Sequence, residues 1–303
     1  MINVKLLLTA FFWGGTFIAG RIVAGAMDPY SAAFLRFLVA AVFLILFAWR
    51  TEGGLPLIQK NQILPILLLG ASGIFLYNVF FFKGLKLIEA GRAAVIIANN
   101  PIVISLLSIC FFKEKLTPLA TIGIPISVFG AMVVITRGSP FAALSATIGR
   151  GELYIFLCVL SWAAFSLIGK TILKGLSPLA AITYSTLVGT VLLFIPAYGN
   201  GLLQNVRHYP LDAWLGVFYL GFFGTVIGFV WYYEGIRTIG PTQASLFINF
   251  VPISAVVLAY IVLDEPLTTS LLTGTILVSI GVYLTRHMGS ATGRTRIFNN
   301  FKR

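Results

Sequence analysis

Residues 13–29, WGGTFIAGRIVAGAMDP, return as residues 162–178, WAAFSLIGKTILKGLSP. A shift of 149 positions lays Trp13, Gly20, Arg21 and Pro29 on Trp162, Gly169, Lys170 and Pro178. Further along, a shift of 151 lays Gly70, Gly73, Gly84, Pro101, Glu114, Leu116, Thr117, Gly123 and Gly130 on Gly221, Gly224, Gly235, Pro252, Glu265, Leu267, Thr268, Gly274 and Gly281. The matched positions are mostly glycines, prolines, helix-end charges and tryptophans. The duplication therefore preserves backbone geometry, not apolar composition alone.

Apolar residues make up 58% of the chain and charged ones 10%, where a soluble domain carries about 25% charged residues. The mean hydropathy is +0.97. The charges are gathered at intervals, leaving apolar runs of roughly 17 to 22 residues, the length that crosses a bilayer as a helix. Ten such runs are predicted, at 4–24, 31–49, 63–83, 91–111, 117–136, 152–172, 179–198, 213–233, 243–263 and 269–286. The alternating ten-residue segments of a barrel are absent, and lipid admits only helices or closed barrels. Lys5 and Ala24-Gly25-Ala26 would also suit a signal peptide, but the recurrence of the same pattern in mid-chain reads the first run as a span. The expected fold is an all-α polytopic membrane protein, ten transmembrane helices arranged as two inverted five-helix repeats around a central cavity. The repeats are placed at 1–137 and 150–287, followed by a basic tail at 288–303.

The inversion follows from an odd number of spans per repeat, since the second copy must then enter the membrane from the opposite face. Two copies of opposite orientation can exchange conformations, which is the basis of alternating access. Lys5, Arg50, Lys60, Lys113, Lys115, Lys170, Lys174, Arg237, Arg286 and the tail charges fall on the side of the termini. Fewer cations, Arg21, Lys83, Lys86, Arg92, Arg137, Arg150 and Arg207, fall opposite. The positive-inside bias puts both termini in the cytoplasm. The net charge of +12 is scattered over helix ends and the tail, which suits anionic lipid headgroups rather than nucleic acid. Cys110 and Cys158 form no C-x-x-C or metal-ligand spacing.

Several polar and aromatic residues lie deep in spans. Trp13 and Trp162 are about 15 Å into their helices, and Ser166 shares their face in the second copy. Tyr77, Asn78, Trp231 and Tyr232 lie on or beside glycine stripes in the third and eighth spans, away from the interfaces where aromatic belts belong. Cavity lining and core packing both fit these positions. Pro101 and Pro252 interrupt the fourth and ninth spans and free the carbonyls of Ile97 and Ile248. Beside them Asn99, Asn100 and Asn249 either mend the helix or face a ligand, and the prolines are candidate hinges. Arg36 is the one charge clearly inside a span, either snorkelling to the outer interface or drawing a substrate carboxylate. Glu114 and Glu265, in the two Glu-x-Leu-Thr segments, read as charges at helix N-termini. No acid or histidine lies mid-span, so a built-in proton relay is not expected.

The two five-helix halves, the early tryptophans, the glycine-rich third and eighth spans and the paired Glu-x-Leu-Thr segments resemble the drug/metabolite transporter superfamily. The resemblance covers about 1–287 and is to the ten-helix EamA type, in particular the YddG-like amino-acid exporters. It implies a bundle in the bacterial inner membrane with a cavity lined by spans 1, 3, 4, 6, 8 and 9, and export of amino acids, aromatic ones among them, and of related small metabolites; export of other metabolites or drugs, or a channel or lipid scramblase, are the alternatives. Carried onto this chain, it supports Trp13, Tyr77, Asn78, Asn99, Trp162, Trp231, Tyr232 and Asn249 as cavity residues. Small-molecule substrates and membrane lipids are the expected partners of a monomer, with no cofactor. Sugar phosphates are disfavoured, because only Arg36 lies deep enough to meet them. An enzyme would need a motif such as H-E-x-x-H or facing aspartates, and the chain has none. Gly169-Lys170-Thr171 lacks the first glycine of a Walker motif.

Overall fold

The computed structural model describes residues 1–112, 118–138 and 149–285, and every regular element among them is helical. The first half comprises α1 (Ile2–Ala26), α2 (Pro29–Glu52), α3 (Lys60–Leu87), a broken α4 (Ala90–Ile97 and Asn100–Phe112) and α5 (Pro118–Ile135). The second half comprises α6 (Arg150–Ile172), α7 (Pro178–Gly199), α8 (Leu211–Ile239), a segmented α9 running to Leu263 and α10 (Thr269–Thr285). Eight of these are long and apolar enough to cross a membrane; α5 and α10 are shorter apolar helices. Large apolar side chains such as Val42, Leu46, Val191, Ile195 and Ile276 face outward, a surface suited to hydrocarbon rather than water. Residues 113–117, with the first Glu-x-Leu-Thr segment, and the basic tail lie outside the described residues.

Local sequence explains the helix starts. Asp28 caps α2 by accepting from the Ser31 N–H at 2.8 Å, with Pro29 in the first turn. Ser177 does the same for α7, accepting from Ala180 N–H at 3.0 Å ahead of Pro178. These are repeat counterparts, and both are favoured caps. Mid-helix, α3 and α8 each widen into a π-helical segment, Gly70–Leu76 and Leu220–Ile227. The glycines there let neighbouring backbones approach. A Cβ on Gly70 would meet Val188 and the Ser185 carbonyl, while one on Gly221 would meet Val39 and the Arg36 carbonyl. Ser185 and Val188 are the repeat counterparts of Arg36 and Val39, so one contact appears twice with the halves exchanged.

The same exchange runs through the bundle. Helix α1 packs on α8 and α9, and α6 packs on α3 and α4. Helix α2 packs on α7 and α8, and α7 on α2 and α3, while α4 meets α9 and α5 meets α10. Such reciprocity is what a local two-fold relation between the halves produces. In the α5–α10 pair a Cβ on Gly130 would lie 2.9 Å from the Gly274 carbonyl, and one on Gly281 would lie 2.6 Å from the Gly123 carbonyl. These small-residue contacts replace the hydrophobic effect as the reason two helices associate in lipid. Gly274→Leu is therefore expected to lower the unfolding midpoint in detergent, since overpacking costs about 1–3 kcal/mol, and Gly274→Ala to lower it less. An unchanged midpoint for the leucine variant would contradict this packing.

Candidate substrate-binding cavity

Trp13 of α1 and Trp162 of α6, counterparts in the duplication, meet edge to face on the line between the halves, ring centroids 5.2 Å apart at 88°. Phe229 and Tyr77 close around Trp162 at 5.1 and 5.3 Å. The Trp13 indole N–H donates to the Gly224 carbonyl at 2.9 Å, which fixes its ring against the π-helical part of α8. Gly228 makes room for that ring, because a Cβ there would lie 2.5 Å from Trp13 Nε1. These rings wall a cavity of about 30 Å³ that Thr16, Arg36 and Asn100 also line. That volume holds a water or so, so the conformation is a contracted one that must widen around a larger ligand.

Arg36 enters from α2 and is 3% exposed. It points inward to the cavity, so the snorkelling alternative is set aside. Its Nε donates to Thr225 Oγ1 at 3.1 Å and its Nη1 to Asn78 Oδ1 at 2.9 Å. Both partners are supplied by the widened helices. Asn78 itself donates to the carbonyls of Gly73 and Ile74, and Thr225 to that of Leu220, so the π-helical segments and the arginine are built as one unit. The rings of Phe37 and Phe229 lie 5.2 and 6.0 Å from the guanidinium carbon. Among the described residues no carboxylate forms an ion pair with Arg36; the two ion pairs are Lys5–Glu234 and Arg92–Glu152. A buried cation without a counter-charge costs several kcal/mol, and the cavity it faces is where a ligand anion would offset that cost.

The structure brings four of the sequence-picked residues, Trp13, Arg36, Tyr77 and Trp162, into the cavity wall. Asn78 stands behind as a partner of Arg36. Tyr232 and Ser166 hydrogen-bond each other at 3.0 Å, with Tyr232 packed against both tryptophans at 5.3 and 5.4 Å. Trp231 is a correction. It faces an outer crevice with Phe47, Pro178 and Glu234, 6.3 Å from Phe12 and near Lys5, because adjacent residues on a helix point about 100° apart. Asn99 is a second. Its amide bonds the Val95 and Ile96 carbonyls and accepts from Ser127 Oγ at 3.0 Å, which mends the break in α4, while Asn100 faces the cavity instead. The Asn249 side chain lies outside the described residues. Pro101 and Pro252 stand just after breaks in their helices, the turn at Ala98–Asn99 and the 3-10 stretch Leu246–Asn249. Phe229 and Phe81, also in the wall, were missed; Phe81 lies one helical turn beyond Tyr77, a spacing that carries it to the same face.

Glu265 does sit at a helix N-terminus, but not that of the next helix in the chain. Its carboxylate accepts from the Ala90 and Gly91 N–H groups at 2.8 and 3.0 Å, capping α4 in the opposite half. Thr268 caps α10, accepting from Leu271 N–H at 3.2 Å. Arg92 ties the same end of α4 to Glu152 of α6 at 2.8 Å and to the Ile135 carbonyl. Polar links thus join the two halves at the start of α4.

Comparison with known proteins places this architecture. The model of the EamA-like transporter family matches residues 1–136 and again 149–286. The chain is 30% identical over 287 residues to the uncharacterized transporter YyaM of Bacillus subtilis (strain 168), covering 93% of this chain and 92% of that protein. It is 28% identical to an uncharacterized transporter of Archaeoglobus fulgidus, with 93% and 97% covered. One crystal structure shares the fold at a TM-score of 0.67 and 18% identity, covering 94% of this chain and 96% of the other. This chain is a multi-pass integral membrane protein and belongs to the EamA-like transporter family.

Proposed function

We propose that the protein is a secondary transporter of the YddG-like kind, exporting amino acids, aromatic and apolar ones among them, and related small metabolites across the bacterial inner membrane. Its two five-helix halves lie in opposite orientation with both termini in the cytoplasm, and they exchange conformations so that the central cavity opens to each side in turn. It works as a monomer without a cofactor. The observation that carries the reading is Arg36, buried and without an acidic partner among the described residues, facing an aromatic cavity where the two halves meet. The guanidinium presents N–H donors suited to a carboxylate, and the tryptophan, tyrosine and phenylalanine rings give an apolar or aromatic side chain its contact area. The reciprocal contacts of the halves support alternating access.

The test is uptake into liposomes holding the pure protein, with labelled amino acids, sugars and nucleosides as the panel. Saturable uptake of amino acids, accelerated by the same amino acid on the far side, is the expected result. Uptake that does not saturate would point to a channel, and saturable uptake of sugars or nucleosides alone would overturn the amino-acid assignment.

A further inference from the structure

Asn100 is a buried polar group of the cavity, and nothing in the fold uses its oxygen. The side chain is 1% exposed and its Oδ1 has no hydrogen-bond partner, although buried amide oxygens are satisfied in the great majority of cases. Its neighbour Asn99 does the repair work at the helix break, so Asn100 is not needed there. It opens the second segment of α4 and lines the same cavity as Arg36.

The polarity of this cavity is one-sided. Arg36 and Asn100 both come from the first half, together with Thr16 and Tyr77. The second half contributes Trp162, Phe229, Ile248 and Val251, whose one polar side-chain atom is the unpartnered Trp162 Nε1. The repeat counterpart of Asn100 is Val251, and that of Arg36 is Ser185, which donates to the Ile182 carbonyl of its own helix. The duplication has diverged so that the wall's charge and its free amide oxygen both come from the first half, while the second half adds mainly apolar and aromatic surface. A bound molecule's polar head is drawn to the side of Arg36 and Asn100.

The donors of Arg36 suit a carboxylate, and the free amide oxygen suits a donor on the same ligand. A lone ammonium is repelled by Arg36, and no acid in the wall attracts it. Held beside a carboxylate that neutralises Arg36, an ammonium gains both the amide oxygen and the aromatic faces. Building on the transporter assignment above, we propose that Asn100 Oδ1 accepts the ammonium of an α-amino acid whose carboxylate lies on Arg36, with the side chain against the second half. Asn100 is then the residue that separates amino acids from plain carboxylates.

The experiment measures binding of L-phenylalanine and of 3-phenylpropionate, which lacks the amine, to the purified full-length protein. The unaltered protein is expected to bind phenylalanine at least about tenfold more tightly, the scale of a hydrogen bond to a charged group. Asn100→Ala and Asn100→Leu are expected to remove that preference by weakening phenylalanine about tenfold and leaving 3-phenylpropionate within about twofold. Equal loss for both ligands, or no preference in the unaltered protein, overturns the role of Asn100 while leaving carboxylate transport standing. Failure of the unaltered protein to bind either ligand overturns both this inference and the assignment on which it rests. Should both variants unfold, Asn100→Thr, which withdraws the amide oxygen from the cavity with a smaller change in polarity, is measured in their place with the same loss expected and the same equal loss overturning the role.

Discussion

Arg36→Met is expected to abolish carboxylate recognition while leaving the unfolding midpoint of the ligand-free protein unchanged or higher. The two effects have one cause. An arginine near the centre of a spanning helix costs about 2.5–3.5 kcal/mol on insertion scales, and here no acid among the described residues offsets it. Methionine fills much of the volume without the charge. The substitution leaves Asn78 Oδ1 without its donor, an expense of about 1–3 kcal/mol, while Thr225 keeps its bond to the Leu220 carbonyl. The terms nearly cancel or favour the variant. Binding is another matter, because removing one member of a buried charge pair costs about 2–5 kcal/mol, roughly thirtyfold to several thousandfold in affinity. Neutral ligands should lose much less. A lowered midpoint together with equal loss for carboxylate and neutral ligands would show that Arg36 is a strut.

Trp162→Ala is expected to give the largest loss of stability of any single substitution in the cavity. The ring of Trp162 lies within 5.4 Å of those of Trp13, Tyr77, Phe165, Phe229 and Tyr232, so it packs against aromatic rings of both halves at once. Truncating a buried tryptophan costs about 3–5 kcal/mol. The space it leaves should also blur selectivity, weakening aromatic amino acids and admitting bulkier ones. Trp162→Phe keeps part of the ring contact and should recover most of the midpoint and some of the preference. The check is a melting series in detergent alongside competition binding. An alanine variant that melts with the unaltered protein and binds phenylalanine as well would contradict this account.

The helices and their pairing were legible because glycine, proline and capping residues are read by the backbone. Gly70 and Gly221, or Asp28-Pro29 and Ser177-Pro178, behave alike in both halves for that reason. Side-chain direction was less legible where the helical period is disturbed. Counting at 3.6 residues per turn through Gly70–Leu76 or Leu220–Ile227 ignores the wider π-helical turns, which carry i to i+5 hydrogen bonds and shift the phase of the helix beyond them. Trp231 and Tyr232 are adjacent and both aromatic, and only the turned helix decides which one faces inward. The break before Pro101 separates Asn99 from Asn100 in the same way. The direction of Arg36 depends on Asn78 and Thr225, 42 and 189 positions away in sequence, a distance no local pattern bridges. Glu265 was rightly placed at a helix end, but its target, α4, belongs to the other half and is fixed by tertiary packing alone.

One cavity, at the meeting line of the two exchanged halves, is expected to be reached from each face in turn. Thr16→Cys, on α1 in the cavity wall, with Cys110 and Cys158 replaced by serine and alanine, puts a single thiol there for a membrane-impermeant maleimide. The measurement is its labelling rate with reagent confined to one side of oriented vesicles at a time. Labelling from both sides, slowed from both by saturating amino acid, is the predicted result. Labelling from one side only, whatever the direction of the amino-acid gradient, would contradict it.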